Sequence, residues 1–140
     1  MPDSRAIELY NNSFEHCMAK EGFLLHFYDL FIGSSGEVRE KFRNTDLKRQ
    51  VRILRKSLYV LTMAAIGTAE ADAELHRLGN SHGTAGMNID PWMYDLWLDS
   101  LMRAVQDYDV AWSPEVEQSW RAVLRPHIEK LKAYSRVAAG

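Results

Sequence analysis

Cysteine is nearly missing from this 140-residue chain, with Cys17 its sole representative. That excludes an internal disulfide and any metal or iron–sulfur centre built on several thiolates, and it fits a reducing compartment. A large excess of either charge is missing too. The formal net charge is -2, which argues against nonspecific nucleic-acid binding as the main activity. No apolar run is long enough to span a bilayer. The N-terminus, MPDSRAIELYNNSF, has no apolar core after a basic start, so neither a signal peptide nor a membrane anchor is expected and the cytoplasm is the expected location. There is no repeat, no low-complexity tract and no linker. Sustained period-two alternation, the mark of strands, is absent as well.

What is present is helical periodicity broken by glycine and proline. The pattern predicts a first helix from about Ser4 to Met18. A second, about Lys20 to Ile32, carries Phe23, Leu24, Phe27, Tyr28 and Phe31 on a broad apolar face and is stopped by Gly33-Ser34-Ser35-Gly36. A brief turn of helix spans Glu37 to Phe42. Asn44, Thr45 and Asp46 offer N-cap oxygens for a long helix to about Ile66. Within it Leu47, Val51, Leu54, Leu58, Leu61 and Ala65 recur at spacings of 4, 3, 4, 3 and 4, which makes one stripe. A shorter helix is predicted over Ala69 to Ser81. Asp90 as cap and Pro91 at the first helical position open the next, with Tyr94, Trp97, Leu98, Leu101, Val105 and Tyr108 as its stripe. Ser113-Pro114-Glu115 opens the last, striped by Val116, Trp120, Val123, Leu124, Ile128, Leu131 and Tyr134. An all-α domain covering residues 1–140 is the expected architecture.

Most members of such stripes are core and need no cofactor. Three polar side chains interrupt that reading, because they fall on faces that should be buried: Tyr28, Gln50 and His82. His82 ends a glycine-broken stretch. Met87 and Ile89 follow it, and then comes the aromatic helix begun by Asp90-Pro91. A neutral imidazole on a turn facing Ile, Tyr, Trp and Leu suits axial ligation of a haem iron. The other histidines have blander readings: His16 and His26 at a packing edge, His76 on a different face, His127 at the surface. Cys17 reads as a small buried hydrophobe. The run Lys48, Arg49, Arg52, Arg55 and Lys56 reads mainly as a solvated helix face, with some of it available to the rim of a site.

Taken in order, these residues resemble the bacterial single-domain globins, above all the haem domains of flavohaemoglobins. Phe27-Tyr28-Asp29-Leu30-Phe31 followed by Glu37-Val38-Arg39-Glu40-Lys41-Phe42 is similar to the family's second helix and the corner after it. The resemblance implies a three-over-three helical fold holding haem b. His82 matches the iron ligand and Phe42 the phenylalanine stacked on the haem. Leu54, Ile89, Tyr94 and Trp97 complete the walls. Tyr28 and Gln50 match the distal pair that would hydrogen-bond dioxygen. A register one residue earlier, Arg49 with Ile53, is the alternative; Gln50 is preferred because it leaves Leu54 on the main stripe. Ser135 stands near the place where flavohaemoglobins carry a glutamate that completes a proximal network, which speaks against peroxidase-like chemistry.

The implied function is reversible binding of dioxygen, carbon monoxide or nitric oxide, in oxygen handling or nitric-oxide detoxification, with no dedicated catalytic residue. Nitric-oxide dioxygenation would require a separate reductase, since 140 residues leave no room for a flavin and nicotinamide domain. The competing readings are a gas sensor that signals through a separate partner and a haem-free interaction module on the same fold. The sequence leaves the oligomeric state open.

Overall fold

A computed structural model describes residues 3–67, 73 and 90–139 of the chain, the side chains of residues 66 and 134–139 excepted. The helix expected over 69–81, apart from residue 73, lies outside the described residues, as do His82 and Ile89.

Six α-helices are seen among the described residues, and no strand: α1 (Ser4–Met18), α2 (Phe23–Gly33), α3 (Gly36–Lys41), α4 (Leu47–Ile66), α5 (Tyr94–Tyr108) and α6 (Pro114–Ala139). Their starts follow from side-chain oxygens that take up otherwise unsatisfied amides. Asp3 accepts from the amide of Ala6 at 2.8 Å, Ser35 from Glu37 at 3.2 Å, and Ser113 from Val116 at 3.2 Å. Of the three cap candidates before α4, Asp46 takes the role, bonding the amides of Lys48 at 3.1 Å and Arg49 at 3.3 Å. Gly67 ends α4 in the left-handed region at φ 94°, where a β-carbon would be strained.

Two starts differ from the sequence reading. The second helix begins at Phe23 rather than Lys20, because Lys20 is still turning: its carbonyl accepts from Phe23 N at 3.2 Å. At Gly22 the chain passes so close to α5 that a β-carbon would stand 3.0 Å from the Tyr108 hydroxyl. At Asp90-Pro91 a 3₁₀ turn, Pro91–Met93, precedes α5. The Asp90 side chain caps nothing there; it is drawn away to Lys41 Nζ at 3.2 Å.

The packing pairs α2 with α5 and α1 with α6, while α4 lies against both α2 and α6. The stripes meet at the centre as expected. Leu54, Leu58 and Leu61 of α4, Trp97, Leu101 and Val105 of α5, and Trp120, Leu124 and Leu131 of α6 are sealed from solvent. Burial of side chains this large supplies most of the drive to fold. The seam between α1 and α6 is pinned by a long-range bond, Trp120 Nε1 to Ser13 Oγ at 2.8 Å. Residues of the α4 stripe nearer its ends, Leu47, Val51 and Ala65, lie at the margin of the core. None of the described helices is long and apolar enough to cross a membrane.

Candidate functional site

The site is built where α2, the end of α3, α4 and the start of α5 converge. Phe42, the residue just past α3, is buried, and its ring meets Tyr28 at 6.0 Å and Phe31 at 5.8 Å between centroids. Tyr28 is edge-on to Phe27 at 5.0 Å. Phe27 is edge-on to Trp97 at 5.8 Å, and Trp97 to Tyr94 at 6.2 Å. The result is a continuous aromatic wall running from α3 through α2 to the first turn of α5. Such tilted and edge-on contacts are the favoured geometry for aromatic pairs. The residues come together because helical spacing puts 27, 28 and 31 on the inner side of α2 and 94 and 97 on the inner side of α5.

From α4, Gln50 and Leu54 face inward, at 6 % and 0 % exposure. In the alternative register Arg49 is exposed and Ile53 is half-buried. The Tyr28 hydroxyl donates to the backbone carbonyl of Gln50 at 3.4 Å. This is long for an O–H···O bond. Burial pushes the Tyr28 phenol well above its ordinary range, only partly offset by side-chain hydrogen bonding with Gln50, so it remains a hydrogen-bond donor at neutral pH.

One polar atom in this wall is unsatisfied. Trp97 Nε1 is buried and has no hydrogen-bond partner. Buried donors are nearly always paired, so an orphan in the core marks either a strained site or a place whose contents are completed by something else.

Of the sequence-predicted site residues, Phe42, Tyr28, Gln50, Leu54, Tyr94 and Trp97 are therefore brought to one region; His82 and Ile89 lie outside the described residues. The basic run on α4 turns mostly away from it. Lys48, Arg52 and Arg55 lie across the helix axis from Gln50 and Leu54, with Lys48 and Arg52 exposed and Arg55 half-buried. No group of three or more His, Cys, Asp or Glu with metal-site geometry occurs among the described residues.

A second polar cluster was not legible in the sequence. His16 of α1 pairs with Asp109 at 3.0 Å, and His26 of α2 pairs with Asp107 at 2.8 Å. Lys20 Nζ donates to the Tyr108 carbonyl. One histidine from each of the first two helices, with Lys20 from the turn between them, thus clamps the end of α5. Asp109 is buried, and burial alone would raise its pKa. The Ser13 hydroxyl, the Ala111 amide and His16 outweigh this and hold the carboxyl below its ordinary range. The neighbouring Cys17 thiol is pushed up to about 12, first by burial and then by the Asp109 charge, which makes it unreactive. The only advance signal was a pair of aspartates flanking Tyr108 at a helix end, which is also what a solvated terminus looks like.

An all-helical domain whose second helix packs on the fifth and against the long fourth one, with a phenylalanine at the corner after the third, has the architecture of the globin class. No protein-family model matches the chain, and no curated protein matches it. Among solved structures it is similar to a Pseudomonas aeruginosa protein described as structurally highly homologous to a human hemoglobin. The two share 38 % identity over 93 % of this chain and 98 % of that one, with a TM-score of 0.84. The chain belongs to the haemoglobin-like globin family.

Proposed function

We propose that the protein is a cytoplasmic, single-domain globin that holds haem b and reversibly takes up dioxygen and other diatomic gases. The observation that carries this is the aromatic wall from Phe42 to Tyr94 with its orphaned Trp97 Nε1. A porphyrin is a broad apolar disc, and flat aromatic and branched side chains around a few polar groups are what it requires. The kinship with a protein described as homologous to hemoglobin supports the same reading.

In this reading His82 is the protein's ligand to the iron. Phe42, Leu54, Ile89, Tyr94 and Trp97 would hold the haem. Tyr28 and Gln50 would supply the hydrogen-bond donors for a gas held at the iron. The phenol stays protonated, and its bond to the Gln50 carbonyl is long enough to be exchanged for a better acceptor. Bound haem would supply a ferrous iron able to coordinate a diatomic gas; conversion of dioxygen and nitric oxide to nitrate would in addition require electrons from a separate reductase. Within the family, the order of residues from Phe27 to Phe42 favours the flavohaemoglobin haem domains as kin.

Reconstitution with hemin tests the reading. The wild type should show a Soret band that shifts on reduction and again with carbon monoxide. His82→Ala should lose haem or retain it only with added imidazole. A wild-type protein that takes up no hemin would overturn the proposal. A His82→Ala variant with an unchanged ferrous–dioxygen spectrum would remove His82 from its assigned role.

A further inference from the structure

The haem reading uses only the inner face of α4, from which Gln50 and Leu54 point into the molecule. Lys48, Arg52 and Arg55 lie across the helix axis, and Arg49 and Lys56 extend that outer face, three residues before Arg52 and four after it. Lys48, Arg49, Arg52 and Lys56 are exposed, and Arg55 is half-buried. No acidic residue occurs from Leu47 to Ile66. The carboxylate beside the face in sequence, Asp46, accepts from the amides of Lys48 and Arg49. Lys48, Arg49, Arg52 and Arg55 make no ion pair among the described residues. By contrast Arg5, Lys41, Arg43, Arg103, Arg121 and Lys132 each have a carboxylate partner.

Two properties of this face select its occupant. The first is how charge is distributed along the chain. From Arg39 to Lys56 stand eight Lys or Arg against two Asp or Glu, and the rest of the chain has nine against seventeen. The α3–α4 segment is thus basic in an otherwise acidic protein. Duplex DNA or an anionic membrane is an extended polyanion and meets the acidic remainder as well. A compact acidic protein can engage the basic face alone. The second property is the lack of an apolar centre. The exposed large apolar side chains among the described residues, Leu25, Tyr59, Met63, Trp92 and Val110, all lie outside 47–56. Durable interfaces have an apolar core, whereas charge raises the rate of encounter more than the affinity. A face made of cations suits a brief, steered encounter, and electron-transfer complexes are small and weak in that way.

We propose that the outer face of α4 is the docking surface for an acidic one-electron donor protein. The inference rests on the reading of the chain as a haem globin. Because α4 turns its cations outward and Gln50 and Leu54 inward, only the helix itself, about 10–12 Å across, separates a docked donor from the site. Dioxygen binds ferrous iron, so iron that has become ferric needs one electron to return to service. The donor is oxidised by one electron and the iron is reduced by one, with no bond made or broken in this chain.

Flavodoxin, a small acidic flavoprotein, is the probe. Titrated in its oxidised form into isotope-labelled protein, it should shift the amide NMR signals of residues 48–56 above all others. Raising salt from about 0.01 to about 0.1 M shortens the screening length from about 30 to about 10 Å and should weaken that binding markedly. In anaerobic stopped flow, flavodoxin hydroquinone should reduce the hemin-loaded protein and become semiquinone. Lys48→Glu with Arg52→Glu should slow this by about tenfold or more, while Lys48→Arg with Arg52→Lys should keep the wild-type rate. The small neutral lumiflavin radical should reduce all three proteins alike, and circular dichroism verifies that each is folded. Shifts spread over other helices, a rate indifferent to charge reversal, or equal slowing with lumiflavin would overturn the proposal. So would duplex DNA or phosphatidylserine vesicles that bind residues 48–56 as tightly as flavodoxin does. The titration needs no haem. A protein that binds flavodoxin there but takes up no hemin would sink the haem reading and the electron transfer with it; a hemin-loaded protein that binds no flavodoxin would sink the docking surface alone.

Discussion

The Tyr28 hydroxyl reaches the Gln50 backbone carbonyl at 3.4 Å, across the crossing of α2 and α4. Both residues are buried, and the bond links the two helices that would face a captured gas. A hydrogen bond of this length contributes little to folding; even a good one nets only about 0.5–1.5 kcal/mol. Tyr28→Phe should therefore leave urea stability nearly unchanged. Its effect on dioxygen should be large, because donation to a partly charged acceptor in a dry cavity is worth roughly 1.5–3 kcal/mol. Dioxygen dissociation should quicken by about one to two orders of magnitude. Carbon monoxide is far less polar when bound, so its dissociation should change much less. Equal shifts for both gases in stopped-flow measurements would mean that the pocket has loosened and that no specific bond was lost.

Phe42 stands at the corner after α3 with its ring against Tyr28 and Phe31. Removing a buried phenylalanine ring typically costs about 3–5 kcal/mol. Phe42→Ala should show a loss of that order in chemical denaturation and should release haem much faster to an apo-globin acceptor. A stability loss with an unchanged release rate would assign Phe42 to the core alone.

Ser13 and Trp120 are far apart in sequence but bonded at 2.8 Å in the buried α1–α6 seam. Ser13→Ala strands the indole N–H and also removes a hydroxyl that supports the Asp109 carboxylate. An unsatisfied buried donor costs roughly 1–3 kcal/mol. Urea unfolding should detect that loss, while haem affinity and gas kinetics should not change, because the seam lies away from Phe42 and Tyr28.

Asp109 gives a pH dependence whose sign follows from its depressed folded-state pKa. The unfolded state binds a proton more readily, so stability rises with pH across the interval between the two values. The contribution is fully present above the ordinary carboxylate range and is lost as pH falls through the folded value. Asp109→Asn should be less stable at neutral pH and should show a flatter acid limb than the wild type. Parallel acid-unfolding curves for the two proteins would show that Asp109 does not contribute this linkage.

The local pattern of the chain determined its helices, because each is closed by neighbours in sequence. Asp46 caps α4 from beside it, Gly67 stops it where a β-carbon would be strained, and a stripe repeating every three or four residues has one face to bury. The same pattern placed Tyr28, Gln50, Leu54, Tyr94 and Trp97 on inward faces, which is visible without knowing what lies opposite; the resemblance to bacterial globins added Phe42 and joined them into one site. The tertiary structure alone decided what does lie opposite. It turned the Tyr28 hydroxyl to a backbone carbonyl, left Trp97 Nε1 without a partner, and buried Asp109 against His16 and Ser13. It also drew Asp90 away from its expected capping role toward Lys41. These outcomes depend on which helices cross and at what height. Helical periodicity carries no information on that, because it fixes the direction of a side chain about its own axis and not the distance to another.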